Sequence, residues 1–293
     1  AVDNKVQKKK KQNRIKEFLW KYKKYLLISL IIAGIAVAAW NITGYVYNQW
    51  AAEKEAQKIL ELAQSATPSP SLEPTPTVMP TPTPMPTRKP PDRYIDFVKL
   101  QKENPEIIAW VSIPETKVDY AIVQGKDNIY YLDHDALLQK NIEGAIFMDV
   151  ANKSDFTDRN TVLYGHRMNN GNMFAGLHDF ADTDFFAQHK ALKLYFPNDI
   201  MYEYEIFAAY EAGDDHILSS WDFSDDVQWE KYLTQIGTAD KKANIDRSAV
   251  GKDDKILTLS TCVRGEDSRR YLLQAVLKTE TSPEKKQGGD VVQ

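Results

Sequence analysis

The chain changes character several times along its length. Residues 1–24 are polar, and residues 25–52 carry no charged side chain. Within the second stretch, 26–39 is nearly all aliphatic and 40–47 continues it with aromatics. About 20 apolar residues cross a bilayer as a helix, so 25–47 is predicted to be a transmembrane helix. Tyr22, Tyr25, Trp40, Tyr45 and Tyr47 would mark its two interfaces. A buried core helix or a cleaved signal peptide shares part of this pattern, and Ala36-Val37-Ala38 resembles a small-residue cleavage site. The uncharged stretch, however, runs well past it. Residues 48–66, rich in Ala, Glu, Lys and Leu, are predicted to extend the helix as a juxtamembrane stalk. Residues 67–91 hold ten of the fourteen prolines. Their Thr-Pro pairs favour extended polyproline II, and at about 3.1 Å per residue the linker would reach roughly 75 Å.

From residue 92 the pattern becomes that of a folded domain, predicted to run to about 280 and long enough to bury one core. Residues 92–102 read as a helix capped by Asp92, with Tyr94, Ile95 and Val98 on one face. Short runs rich in β-branched and aromatic residues follow at 107–113, 120–123, 145–148, 161–164, 201–210, 256–260 and 271–278. Asn198-Asp199 is a turn signal before the fifth run. One further helix is predicted over 225–236: Ser224 caps it, Asp225 and Asp226 suit its positive end, and Trp229, Tyr232, Leu233 and Ile236 recur at helical spacing. Many strands with few helices predict a mainly β fold with flanking helices, arranged as a mixed or closed barrel. Residues 281–293 are polar and predicted to be a disordered tail.

Charge refines this picture. Residues 1–24 contain ten Lys/Arg and two acids, leaving 27 of the 37 basic residues against 39 of the 41 acidic ones for residues 25–293. The net charge of −4 thus conceals a basic tail and an acidic body. An acidic body argues against nucleic acid as a partner, which demands basic surface. Lysines ahead of the apolar segment predict a cytoplasmic tail over 1–24, a single pass through the plasma membrane and an extracellular domain.

The candidate chemistry centres on the single cysteine, Cys262, which ends the run Ile256-Leu257-Thr258-Leu259-Ser260-Thr261-Cys262. A lone thiol forms no intramolecular disulfide and is a candidate reactive group. A free thiol is only a few per cent ionised at neutral pH and needs a base or positive neighbour. His166, in Tyr164-Gly165-His166, is a candidate proton acceptor and donor. Arg270, opening the last apolar run, carries a charge that never titrates and suits an oxyanion. Arg269 beside it would point the other way in a strand, and Arg264 is a weaker rival. His134, His178, His189 and His216 lie in polar or loop-like contexts and read as structural or surface residues. The histidines and cysteine show no metal-ligand spacing, and no Gly-rich phosphate loop is present.

Taken together, Thr258-Leu259-Ser260-Thr261-Cys262, the arginine after it and Tyr164-Gly165-His166 resemble the sortases. Ile107-Ile108-Ala109-Trp110-Val111-Ser112-Ile113-Pro114, Asp127-Asn128-Ile129-Tyr130-Tyr131-Leu132, Gly144-Ala145-Ile146-Phe147-Met148-Asp149 and Gly165-His166-Arg167-Met168-Asn169-Asn170 are similar, in order, to class B sortase sequence. The resemblance implies a closed β barrel of seven or eight strands. It implies a cysteine transpeptidase in which Cys262 forms a thioacyl enzyme, His166 is the general acid/base and Arg270 steadies the oxyanion or positions the peptide. It implies that Asn128, Tyr164 and Ser260 line the substrate site, and it calls for no cofactor or metal. The expected partners are sorting-signal-bearing surface proteins and a peptidoglycan cross-bridge or precursor amine, in a Gram-positive envelope. Two other readings stand beside it. Cys262-Val263-Arg264 superficially resembles L,D-transpeptidases, although Ser260-Thr261 stands where those enzymes have Ser-His-Gly. A non-catalytic surface binding module would use the same barrel.

Overall fold

The computed structural model describes residues 2–64 and 91–281. The linker, apart from Pro91, and the tail beyond residue 281 lie outside the described residues. Internal contacts divide the chain into two units, Ala1–Lys54 and Glu55–Gln293. Helix α1 (Val2–Gln64) supplies the first unit and the start of the second. Over residues 27–47 its side chains are exposed on every side; Leu27, Ile31, Ile35 and Trp40 are all more than half exposed. The helix is long and apolar enough to cross a membrane. In the second unit its last turns are docked: Ala63 is buried, Ile59, Leu60 and Leu62 pack beside it, and the Ala63 carbonyl accepts from the Asp96 amide at 2.9 Å.

The second unit continues with α2 (Phe97–Glu103), β1 (Ile107–Ser112), β2 (Asp119–Val123), β3 (Ile146–Met148) and β4 (Asn160–Tyr164). A 3-10 segment (Phe174–Ala181), α3 (Thr183–Gln188), β5 (Ala191–Phe196) and β6 (Ile200–Gly213) follow. The chain then forms α4 (Ile217–Ser220), α5 (Asp226–Gln235), β7 (Asn244–Ile245), β8 (Ile256–Val263) and β9 (Glu266–Thr281). Hydrogen bonding runs in the order β5-β1-β2-β3-β4-β8-β9-β6, and pairing of β5 with β6 closes an eight-stranded barrel. The two-residue β7 covers Ala208 and Ala209 of β6, beyond the segment that β5 already pairs.

All seven expected strands are present. β5 and β7 were not expected. β5 alternates, with Leu192 and Leu194 buried, but carries an outward Lys193 and adjoins Pro197. β7 is too short for any pattern to show. Two expected helix caps are corrected. α2 starts at Phe97, where Asp96 accepts from the Lys99 amide at 3.0 Å. Asp92 is drawn instead to β5, pairing with Lys193 and accepting from the Tyr195 hydroxyl at 2.9 Å. At α5 the cap is Asp225, which accepts from Val227 and Gln228, while Ser224 donates its hydroxyl to Asp222. At α5 a carboxylate, the stronger acceptor, takes the capping position from a hydroxyl; at α2 one carboxylate replaces another, because Asp92 is held by β5. Asn198 and Asp199 form the expected turn, both at positive φ.

The main core fills the barrel with inward residues such as Val111, Ile122, Leu163, Leu194, Leu257, Leu259 and Leu273. Two further clusters lie outside it. One joins the end of α1 and α2 to Trp110 and Tyr131; the other joins Trp229, Tyr232 and Ile236 to Phe207, Leu272 and Val276. A buried polar seam underlies the latter. Gln274 donates to the Tyr232 hydroxyl at 2.7 Å and to Thr258 at 2.8 Å, and Thr258 donates to Asn160 at 2.8 Å. These bonds spare Gln274 and Thr258 the cost of an orphaned buried polar group, about 1–3 kcal/mol.

A Cβ at Gly165 would lie 2.4 Å from Ile146 Cδ1 and 2.7 Å from Phe174 Cδ2. Gly165→Ala is expected to destabilise the barrel by about 1–3 kcal/mol through overpacking, read as a lower urea midpoint. His178, on the 3-10 segment, packs its ring against Tyr271 and donates Nε2–H to the Cys262 carbonyl at 3.1 Å. Burial lowers its pKa below the ordinary histidine value. The folded state therefore holds fewer protons there than the unfolded chain, and stability rises with pH across that window. The contribution is complete above the unfolded pKa of about 6.5 and lost as pH falls through the folded value. The thermal midpoint should drop between about pH 7 and pH 5, and His178→Gln should flatten that slope; an unchanged slope in the variant would refute the assignment.

Candidate active site

Side chains alternate faces along a strand, and that alternation builds the site. On β8, Leu257 and Leu259 enter the barrel, so Thr258, Ser260 and Cys262 face outward. The antiparallel register sets Cys262 directly opposite Arg270 of β9, just before a bulge between Cys262 and Val263. On the other side, parallel pairing with β4 aligns Ser260 with Tyr164, and the Gly165 amide donates to the Ser260 carbonyl at 3.2 Å. His166 follows two residues after Tyr164. A nucleophile candidate, an arginine and a histidine, 104 or fewer residues apart in sequence, thus reach one outer face from three adjacent strands.

This face forms one wall of a cavity of about 700 Å³, closed on the other side by the end of β6, α4 and α5. Asn128, Tyr164, His166, Ser260, Cys262 and Arg270 all line it. Arg269 does not: its Nη2 pairs with Glu211 at 2.8 Å, so the strand separates the adjacent arginines. Arg264 is exposed and outside the lining. Cys262 and Arg270 are half-buried, reachable from solvent yet walled by protein.

Hydrogen bonds fix several of these groups. His166 Nε2 lies 2.7 Å from the Leu132 carbonyl. A carbonyl only accepts, so Nε2 carries the hydrogen and the neutral ring presents its lone pair at Nδ1. Asn128 accepts from the Val150 amide at 2.9 Å. The Tyr164 hydroxyl donates to Asp149 at 2.8 Å. Burial, and then the Asp149 carboxylate, hold the Tyr164 phenol well above its usual range, keeping it a donor.

Two residues emerge that the sequence reading did not single out for the site. His216, grouped there with surface histidines, lines the cavity and pairs through Nε2 with wholly buried Asp149 at 2.8 Å. No local spacing joins them, because the contact spans β3 to the end of β6. The other histidines fit their structural reading: His134 stacks on Tyr130 and His189 on Phe185.

Comparison with known proteins agrees with this architecture. The family model for the Sortase domain matches residues 111–278. Sortase B of Listeria monocytogenes is 39% identical over 185 residues, covering 61% of this chain and 73% of the relative. Among solved structures, sortase B from B. anthracis in complex with AAEK1 superposes with a TM-score of 0.63 at 28% identity, over 80% of this chain and 100% of that one. A Staphylococcus aureus sortase B–substrate complex gives a TM-score of 0.56 at 30% identity, over 62% of this chain and 84% of that one. With a family match spanning more than half of its length and this identity across the barrel, the chain belongs to the sortases, as a cysteine transpeptidase of class B.

Proposed function

We propose that this sortase cleaves a C-terminal sorting signal of surface proteins and transfers the acyl group to a cell-wall amine. The observation that carries the reading is the convergence of Cys262, His166 and Arg270 on one cavity from three strand ends. The Cys262 thiolate attacks the carbonyl carbon of the scissile peptide bond, forming a C–S bond and an oxyanion. Arg270, opposite the cysteine, stabilises that charge. His166 holds the thiol's proton at Nδ1 and delivers it to the leaving amine, the C–N bond breaks, and a thioester remains. An incoming amine then attacks the thioester carbon, loses its proton to His166 and expels the thiolate. Asn128, Tyr164 and Ser260 bind the peptide along the same wall. That a Staphylococcus aureus sortase B has been solved as a substrate complex supports a substrate site in this fold.

The remaining segments serve delivery. Residues 25–47 cross the plasma membrane once, 1–24 stay cytoplasmic, and 67–91 space the catalytic domain, 92–280, into the wall. The exposed apolar helix and the basic tail before it support this topology, which follows the positive-inside rule.

The 293-residue chain, in detergent, would be incubated with quenched fluorescent pentapeptides, with and without triglycine as acceptor, and trapped for mass spectrometry. An adduct on Cys262 that triglycine resolves faster is the expected result. Cys262→Ala should abolish cleavage and transfer while keeping its thermal transition; substantial cleavage by that variant would rule out the thioacyl path. The arginines separate cleanly. Arg270→Ala should lower kcat/KM by about 10²–10³, the scale for a lost oxyanion donor, while Arg269→Ala should stay within about threefold. The reverse order would transfer the role to Arg269.

A further inference from the structure

Helix α4 lies on the cavity wall, yet none of its four residues is buried. Ile217 and the following Trp221 only lean, partly buried, on the cluster around Trp229 and Tyr232. The segment leading to it, Gly213 to Asp215, is exposed. Apolar packing therefore holds this wall weakly, and a polar tether has to supply the rest.

That tether is present. Asp149, 0% exposed, accepts from the Ala151 amide at 2.9 Å through Oδ1. Through Oδ2 it accepts from the Tyr164 hydroxyl and from His216 Nε2, each at 2.8 Å. The Nδ1 of the same histidine meets the Ser219 hydroxyl at 3.0 Å, and the His216 carbonyl accepts from the Ser219 and Ser220 amides at 3.0 Å. His216 thus holds the first turn of α4 with its backbone and ring while its far nitrogen is anchored in the barrel. A buried carboxylate stripped of one partner is costly, so the contact resists opening from both sides.

We propose that Asp149 and His216 form a clasp that fixes α4 and Trp221 against the barrel and thereby sets the shape of the peptide-binding cavity. They are positioning residues, acting through the wall and not on the reacting atoms. The proposal rests on the cavity being the peptide site, as argued above. Tyr164 shares the same carboxylate oxygen, so the clasp also couples the wall to a residue on the catalytic face.

The test compares His216→Ala with His216→Gln in the 293-residue chain, because a glutamine amide reaches as far as Nε2 and still donates to Asp149. Hydrogen exchange is followed at the Ser219, Ser220 and Trp221 amides. His216→Ala should speed exchange there about tenfold, leaving β8 and β9 as in the unsubstituted chain, and His216→Gln should restore slow exchange. With the best-cleaved member of the quenched pentapeptide panel, His216→Ala should raise KM about fivefold and keep kcat within about twofold, and His216→Gln should recover most of the loss. Unchanged exchange in His216→Ala, or equal exchange in both variants, would overturn the clasp. Faster exchange with an unchanged KM would overturn its role in shaping the cavity. Exchange does not depend on turnover, so the clasp is decided even if no peptide is cleaved, an outcome that would count against the peptide site itself.

Discussion

The pairing of β8 with β9 is the constraint on which the site depends. Because side chains repeat every two residues, a slip of one position would turn the Cys262 thiol into the barrel and point the Thr261 side chain outward. What prevents the slip is burial: Leu257, Leu259 and Leu273 are fully enclosed on the inner face, and exposing such side chains costs about 1.5–3 kcal/mol each. The hydrophobic core therefore sets the chemistry at one remove. It locks the register, and the register places a thiol opposite a guanidinium.

The buried seam of Asn160, Thr258, Gln274 and Tyr232 reinforces this on the outer face. Thr258 and Gln274 are directly opposed in the β8–β9 ladder, and their side chains are hydrogen-bonded. An apolar pair there would tolerate neighbouring registers. A hydrogen-bonded pair with further obligations to Tyr232 and Asn160 tolerates one. The same seam lies under α5, so the helix that closes the cavity and the strands that carry its reactive groups are fixed by shared bonds.

Much of this was legible in the sequence. Strands with strong β-branched or aromatic patterns declared themselves, as did the apolar helix, and the motif around Cys262 and His166 pointed to the family. What was hidden is physically intelligible. β7 pairs for only two residues, too short for periodicity. The expected caps Asp92 and Ser224 gave way to Asp96 and Asp225 because several carboxylates or hydroxyls stand near each helix start: Lys193 and Tyr195 draw Asp92 away, and Ser224 turns its hydroxyl to Asp222. The docking of Ala63 beside Ile95 and Leu100 gave no local signal. Nor did the contact of Asp149 with His216, which joins segments separated by three strands. The choice between Arg269 and Arg270 as a wall residue needed only strand parity, but parity had to be anchored to the partner strand before it could be read.

Closure of the ring carries a consequence for how the domain persists. Its parallel β4–β8 contact joins segments about a hundred residues apart in sequence, the kind of non-local pairing that slows folding. The same circularity means that opening any one seam exposes two unpaired edges at once, so unfolding must break many pairings together. With a single cysteine the chain has no internal covalent brace. Pairing and packing alone then hold the ring shut, and the ring is a closure that chain topology makes slow to set.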